Sequence, residues 1–356
     1  MSRCISVISR VSPVPSAADD LHAAILAAGG AIPFSEFMDI ALYGPHGFYT
    51  TVGHAGRRGD FITSPEVGPL FGLILGNYLD AVWNDLGRPN QFDVVEVGAG
   101  PGTLARSILA ASLECRDALR YVAVESSEAQ RLRHPSGIVS TAEFPMEPIV
   151  GVVLANELLD NLPFRLMVFD GGWRESWIAS TPSGFSEELR IPSQISKHLP
   201  STAPHGARAP IQDAARRWVE ESIASISRGR FLVIDYARPS TANVTTIGWR
   251  EWLRTYAQHG RGGHYLKDVG LQDITCDVML DQVFEGVDAR LMTQESFLES
   301  HGIAVAVDEG RTYWEAHASQ PDVRAMMMRS RVSEAEALLD PNGLGAFTVA
   351  EVLVGS

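Results

Sequence analysis

Cysteine is scarce: Cys4, Cys115 and Cys276 are the only three in 356 residues. Their spacing suits neither a disulfide framework nor a zinc site, so no metal ligand set is expected and they read as reduced thiols. Long apolar runs are missing as well. None reaches the roughly 20 residues needed to cross a bilayer, which argues against membrane insertion. Positive charge is short, with 29 Lys and Arg against 43 Asp and Glu, a formal net charge of −14. Such a surface repels phosphate backbones and removes nucleic acid from the expected partners. The pairs Arg57–Arg58 and Arg216–Arg217 are too few to make a basic stripe. Internal repeats and low-complexity tracts are also lacking. What remains is ordinary for a globular enzyme: 45% hydrophobic and 20% charged residues, enough chain for a large core and substantial insertions.

Residues 1–18 hold two Arg, five Ser and no acid, and Pro13 and Pro15 interrupt them. The composition reads as a disordered leader on a cytoplasmic protein; if it is a transit peptide, the location becomes the mitochondrial matrix. Helical spacing of apolar residues follows over 21–28 and 33–42, and again over 65–84, where Pro65 sits in the first turn. Short β-branched runs at 92–97, 121–124, 150–154 and 231–234 alternate with helical patterns at 104–113 and 211–227. That alternation predicts an α/β fold with a parallel sheet and crossover helices. Residues 164–169 and 173–178 flank Asp170-Gly171-Gly172, a hairpin signal. Residues 181–210, rich in Ser and Pro, read as surface loop. Short helices are expected at 282–285 and 293–301. A closing strand at 347–354 is expected to pair with 303–307.

The strongest chemistry lies in residues 96–103. A strand ends in Glu96, then Gly98, Gly100 and Gly102 recur at every second position, then a helix opens. Glycines allow a sharp turn and close approach of the backbone to a ligand. The helix N-terminus offers free N–H groups and a positive dipole end to a ligand carboxylate. Glu96 can receive an ammonium group. Glu125, ending the next strand, can accept the two ribose hydroxyls of an adenosine, or can be simply a solvated acid. The wording G-A-G-P-G-T, with an acid two places earlier, favours S-adenosyl-L-methionine over a dinucleotide. Asn156, Glu157 and Asp160 follow the 150–154 strand. Ligands of doubly wound sheets sit beyond such strand ends, so these three face the reactive end of the pocket, or else cap the turn before Pro163.

Other groups read less distinctly. Asp235 and Tyr236 follow the 231–234 strand and can line the acceptor side. His264 and Tyr265 are acid–base candidates but fit packing better. Asp273 and Thr275 suit a helix cap. Trp249, Trp252 and Tyr256 have helical spacing and read as core.

Taken together, the blocks YGPHGFYT, GDFITSPEVGPLFG, EVGAGPGTL, ANELLDNLP, LVIDYA, LRTYAQH, QDITCDV, TQESFL and LGAFTVAEVLV resemble the MidA-like class I methyltransferases. That family includes a mitochondrial complex I assembly factor that methylates arginine. Ala237 stands where the family usually has Gly. The resemblance implies a Rossmann-like class I methyltransferase core over 90–356 with an insertion at about 181–290. It also implies a mainly helical N-terminal region over 19–89 carrying a cofactor-covering loop. Asp60, Thr63 and Ser64 would touch the cofactor from that loop, although Thr63 or Ser64 before Pro65 also suits a helix start. Glu157 and Asp160 would hold an arginine guanidinium by charge-assisted bonds. A protein substrate, in the family a respiratory-complex subunit, is the expected partner. Rival readings are a small-molecule O- or N-methyltransferase and a non-catalytic assembly factor that only binds S-adenosyl-L-methionine. Oligomeric state is not legible.

Overall fold

The structure, a computed structural model, describes residues 15–51, 63–257 and 260–355. Its centre is a seven-stranded sheet in the order Arg290–Thr293, Thr348–Val354, Ile226–Asp235, Ile149–Asn156, Phe92–Val97, Leu119–Val124, Val139–Thr141. Thr348–Val354 runs antiparallel to both neighbours; the other registered pairs are parallel. The chain enters the sheet at Phe92–Val97, moves outward to one side, and returns to the other side at Ile149–Asn156. The carboxyl ends of these two strands therefore flank the point where the winding reverses, where doubly wound sheets bind ligands.

Strand alternation divides the core. Phe92, Val94, Val152, Leu154, Leu232 and Ile234 point to one face, while Val95, Val97, Val153, Ala155, Phe231 and Val233 point to the other. Both faces are apolar because helices cover both. The helix Pro69–Asp85 lays a stripe of Leu70, Phe71, Ile74, Leu75, Tyr78, Leu79 and Val82 on the first face, at the spacing of a helix buried along one side. Thr103–Ala110, Gln294–Ser300 and the antiparallel pair Ile303–His317 and Val323–Leu338 share that cluster. Asp213–Ser225 covers the second face through Ala215 and Val219.

A second sheet lies apart from the first. It joins Ala31–Pro33, Trp173–Thr181, Arg165–Phe169 and Arg208–Ile211, with Gly184–Arg190 on the far side of Trp173–Thr181. All its pairings are antiparallel. Ala17–Ala27 and Phe34–Tyr43 cover it, and Leu253–Ala257 with Asp273–Cys276 add a small third sheet to the same apolar cluster.

Several expectations are corrected. The helix read at 65–84 is two, Ser64–Val67 and Pro69–Asp85, broken at Gly68. The stretch read as loop, 181–210, contains two strands, because its alternating Phe185 and Leu189 pair with a strong β neighbour. Residues 303–307 open a helix; the closing strand pairs with Ile226–Asp235 and Arg290–Thr293 instead. The residues Trp249, Trp252 and Tyr256 pass from a 3₁₀ turn into a strand, so their helical spacing is coincidental. Ser16 caps a helix that starts at Ala17, inside the stretch read as leader, and residues 1–14 lie outside the described residues. Ile226–Asp235, inside the stretch read as insertion, is a central strand. Among the described residues no helix is long and apolar enough to cross a membrane.

Candidate active site

After Val97 the backbone turns, with the N–H groups of Gly98 and Ala99 both donating to Val124 O at 3.0 and 3.1 Å. Gly98, Gly100 and Gly102 have φ of 72°, 52° and 74°. These left-handed conformations strain any residue with a Cβ, which is why the sequence spends three glycines here. Nothing lies within 4 Å of where a Gly100 Cβ would stand, so the turn faces open space. The helix Thr103–Ala110 begins without a side-chain cap, leaving its first N–H groups for a ligand.

Glu125 organises the loop. Its Oε2 accepts from the Gly100 N–H at 3.0 Å and its Oε1 from the Ser127 N–H at 2.8 Å. A carboxylate has about four acceptor positions, so room remains for ribose hydroxyls. His134 Nε2 lies 2.9 Å from Gly100 O, which can only accept, so His134 donates there and its Nδ1 accepts from Ser140. Glu96 is 5% exposed and accepts from the Tyr121 hydroxyl at 2.7 Å. Burial pushes its carboxyl up to about 7, Glu125 adds to the rise, and Tyr121 opposes it. A cationic ligand group beside it would reverse the shift.

Four more carboxyls gather past the neighbouring strand ends. Glu157 sits at φ 51°, an uncommon conformation outside glycine, while its N–H stays in the ladder on Ile234 O at 2.8 Å. Its Oε1 accepts from Asn156 Nδ2 and its Oε2 from the Tyr236 hydroxyl, each at 3.1 Å. Burial pushes Glu157 up to about 8 and Asp235 adds to the rise; Tyr236, Asn156 and the Ser64 backbone N–H oppose it. Asp235, 2% exposed, accepts backbone N–H groups from Leu159 at 2.8 Å, Asp160 at 3.3 Å and Tyr236 at 2.8 Å. Burial still raises it to about 7. Asp160, also 2% exposed, is raised well above its usual range by burial and then by Asp235, Asp273 and Glu157. Three N–H donors stabilise ionised Asp235, whereas Asp160 Oδ1 has no hydrogen-bond partner, so of this pair Asp160 keeps the proton. Asn156 Oδ1 is likewise buried and unpartnered. Asp273 accepts from Tyr49 at 3.0 Å and Asn161 at 3.1 Å, and burial raises it to about 6. Arg254 stacks over Tyr236 at 5.1 Å, but its charge is engaged by Asp277 at 2.6 Å.

Residues 74–300 match the family Methyltransf_28, described as S-adenosyl-L-methionine-dependent methyltransferase. The chain belongs to that family. It is 29% identical over 307 residues to the mitochondrial protein arginine methyltransferase NDUFAF7 homolog of Drosophila melanogaster, covering 74% of this chain and 68% of that one. It is 26% identical over 367 residues to the human mitochondrial protein of the same name, covering 89% and 78%. Among solved structures, a Burkholderia thailandensis protein bound to S-adenosyl-homocysteine superposes with a TM-score of 0.77 at 26% identity, covering 96% of this chain and 95% of that one.

The protein is thus an S-adenosyl-L-methionine-dependent methyltransferase, and the loop fits that cofactor: a glycine turn facing open space, an uncapped helix start and two acids on the adjoining strand ends. The relatives are named mitochondrial, so they lend no support to the cytoplasmic expectation. Of the residues singled out in the sequence, Glu96, Gly98, Gly100, Gly102 and Glu125 adjoin one turn, and Asn156, Glu157 and Asp160 adjoin the next strand end. Ser64 gives its hydroxyl to Gln294 Oε1 at 2.9 Å. Thr63 stands before the short helix without a side-chain cap bond. Asp60 lies outside the described residues. Tyr265 is core, its hydroxyl shared by Glu187 and Arg208. Asp273 and Tyr236 carry more of the site than their sequence reading gave them. Tyr43, whose hydroxyl donates to Asn161 O at 3.2 Å, and Tyr49, whose hydroxyl donates to Asp273, were not singled out in the sequence. The aromatic density of YGPHGFYT was the available signal for both.

Proposed function

We propose that this chain transfers the methyl group to an arginine side chain of a protein substrate. The observation that carries this reading is the convergence of four carboxyls, Asp160 and Asp235 buried and Glu157 and Asp273 half-buried, with Asp160 Oδ1 and Asn156 Oδ1 unpartnered. Carboxyls held above their usual range lack a cation, and a guanidinium supplies one with five donors in a plane. A neutral oxygen acceptor would leave the cluster uncompensated. The relatives named protein arginine methyltransferases add independent support.

S-adenosyl-L-methionine, when bound, supplies a methyl group on a positively charged sulfur. The chain's own residues do the rest. Glu96 and the turn at Gly98–Gly102 hold the amino-acid part, and Glu125 holds the ribose. Glu157, steadied by Asn156 and Tyr236, orients one guanidinium nitrogen and takes the proton that this nitrogen loses as it gains the methyl. A base near 8 is well matched to that task at neutral pH. Asp160, protonated in the empty site, ionises against the incoming cation. Orientation of this kind carries much of the rate.

The reading is tested with methyl-labelled cofactor and lysate of cells that lack the protein. Wild-type enzyme should place label in a protein band, and Glu157→Gln should lower the rate about 100-fold or more. Label confined to small molecules would replace the protein acceptor with a metabolite. No label, with cofactor bound, would favour a non-catalytic role.

A further inference from the structure

Tyr236 stands directly after the strand Ile226–Asp235, and its hydroxyl donates to Glu157 Oε2 at 3.1 Å. That hydroxyl lies at the far end of a long side chain, so a small swing of the ring carries it off its partner; such a contact persists only where the ring is packed in place. Two groups pack on this ring. Phe347, part of the apolar cluster beneath the sheet, has its centroid 4.2 Å away, and the Arg254 guanidinium lies over the ring at 5.1 Å. The second contact is the unusual one, because the Arg254 side chain is charged and only 11% exposed. A charge so placed needs a partner. Buried Asp277 supplies it: Oδ1 lies 2.6 Å from Arg254 Nη2, and Oδ2 accepts from Arg238 Nε at 2.8 Å. Asp277 is itself fixed, since its N–H donates to Trp252 O at 2.8 Å and its carbonyl accepts from Gln212 Nε2 at 3.1 Å. Arg254 Nη1 donates to Glu251 O at 2.9 Å. Asp277, Arg254, Tyr236 and Glu157 thus form an unbroken row of contacts from the small third sheet to the candidate site. An ion pair this deep adds little stability over apolar residues of the same volume. What it provides is a planar cation at a fixed place on the Tyr236 ring, which the ring face attracts.

We infer that Arg254, held by Asp277, is a positioning residue for the reaction: it fixes the Tyr236 ring so that the hydroxyl stays on Glu157. The part concerning turnover rests on the role proposed for Glu157; the part concerning its carboxyl does not. The titratable groups facing Glu157 are Tyr236, Asp160 and Asp235, and those around Arg254 are Asp277, Tyr236 and Tyr256. The Tyr236 hydroxyl favours the ionised form of Glu157, so a ring set loose should let that carboxyl rise further. Arg254 also lowers Asp160 through space, and the test therefore separates a route through Tyr236 from an effect of charge alone.

The test uses full-length Arg254→Met, Tyr236→Phe and the double variant. The Glu157 carboxyl is followed by ¹³C NMR titration and assigned with Glu157→Gln. Each single variant should move its midpoint up by roughly one pH unit, and the double variant no further than Tyr236→Phe alone. Turnover at saturating substrates should fall on the order of tenfold in both single variants, with KM for the cofactor within about twofold of wild type. A folded Arg254→Met protein with unmoved Glu157 titration would overturn the inference and leave the ion pair a matter of stability. A double variant whose shift is the sum of the two single ones would overturn it in favour of direct charge. If Arg254→Met does not fold, Arg254→Met with Asp277→Asn, which removes both buried charges together, carries the same reading. If wild type methylates no arginine, the proposed acceptor fails while the titration still reports on Arg254.

Discussion

Glu157 concentrates the argument at the scale of single residues. Its backbone sits in a left-handed conformation, its side chain is half-buried, and the donors Asn156 and Tyr236 oppose but do not cancel the cost of its charge. The sign of the consequence follows. A carboxyl raised from 4.5 to about 8 in the folded protein binds its proton more tightly folded than unfolded. Ionising it therefore costs stability progressively as pH rises through that window, and nothing is lost below it. Glu157→Gln should thus be near neutral for stability at pH 4.5 and stabilising, on the order of 2 kcal/mol, above pH 8. Thermal unfolding of the cofactor-free proteins across that range checks this; a constant difference between variant and wild type would show that Glu157 is not held protonated. The same carboxyl predicts that kcat/KM climbs with pH toward about 8, and that Glu157→Gln flattens this limb. Gly100 gives a second test. A β-branched side chain is strained at φ 52° yet its Cβ has no protein atom within 4 Å, so Gly100→Val should keep its circular dichroism spectrum while cofactor affinity falls by about 100-fold or more. Affinity retained in a calorimetric titration would move the cofactor elsewhere.

At the scale of elements, the parallel sheet, its flanking helices and the glycine turn were legible in the sequence because each rests on local pattern. Phe92–Val97 is a β-branched run between turn signals, and three alternating glycines follow it. What escaped was decided by distant partners. Gly184–Arg190 has three charged residues in seven and becomes a strand only because Trp173–Thr181 offers it a full register. The helix break at Gly68 exists because Glu334 occupies the space beside it, 266 positions along the chain. Asp273 reads as a cap until Tyr49 and Asn161 are brought to it. Sheet geometry alone delivers Glu96, Glu125, Asn156 and Glu157 to or just past strand ends, where the sequence reading put them; Tyr43 and Tyr49 arrive by packing of a separate sheet. A further consequence concerns the paired strands themselves. Gly151 and Gly229 are register partners, and a Cβ on Gly151 would lie 1.9 Å from Asp93 O. Gly151→Ala should cost more than about 3 kcal/mol in urea unfolding or abolish soluble protein. A change below about 1 kcal/mol would mean that these three strands pair differently.

At the scale of the molecule, the two bodies have separate work. The seven-stranded sheet supplies the glycine turn and three of the four carboxyls of the candidate site, Glu157, Asp160 and Asp235. The second body and the small sheet beside it bring Tyr43, Tyr49 and Asp273 to the proposed acceptor side. Net charge of −14 matches this division, since an acidic enzyme with a buried acidic site attracts a cationic side chain and repels phosphate. The central claim is the identity of the acceptor atom. Its most direct test labels a protein substrate with methyl-tritiated S-adenosyl-L-methionine, hydrolyses that protein to free amino acids and separates them. The account predicts that the label is recovered as methylated arginine with wild-type enzyme and is at least about 100-fold weaker with Glu157→Gln. Label recovered as methyl-lysine, or lost on hydrolysis as a methyl ester, would contradict it.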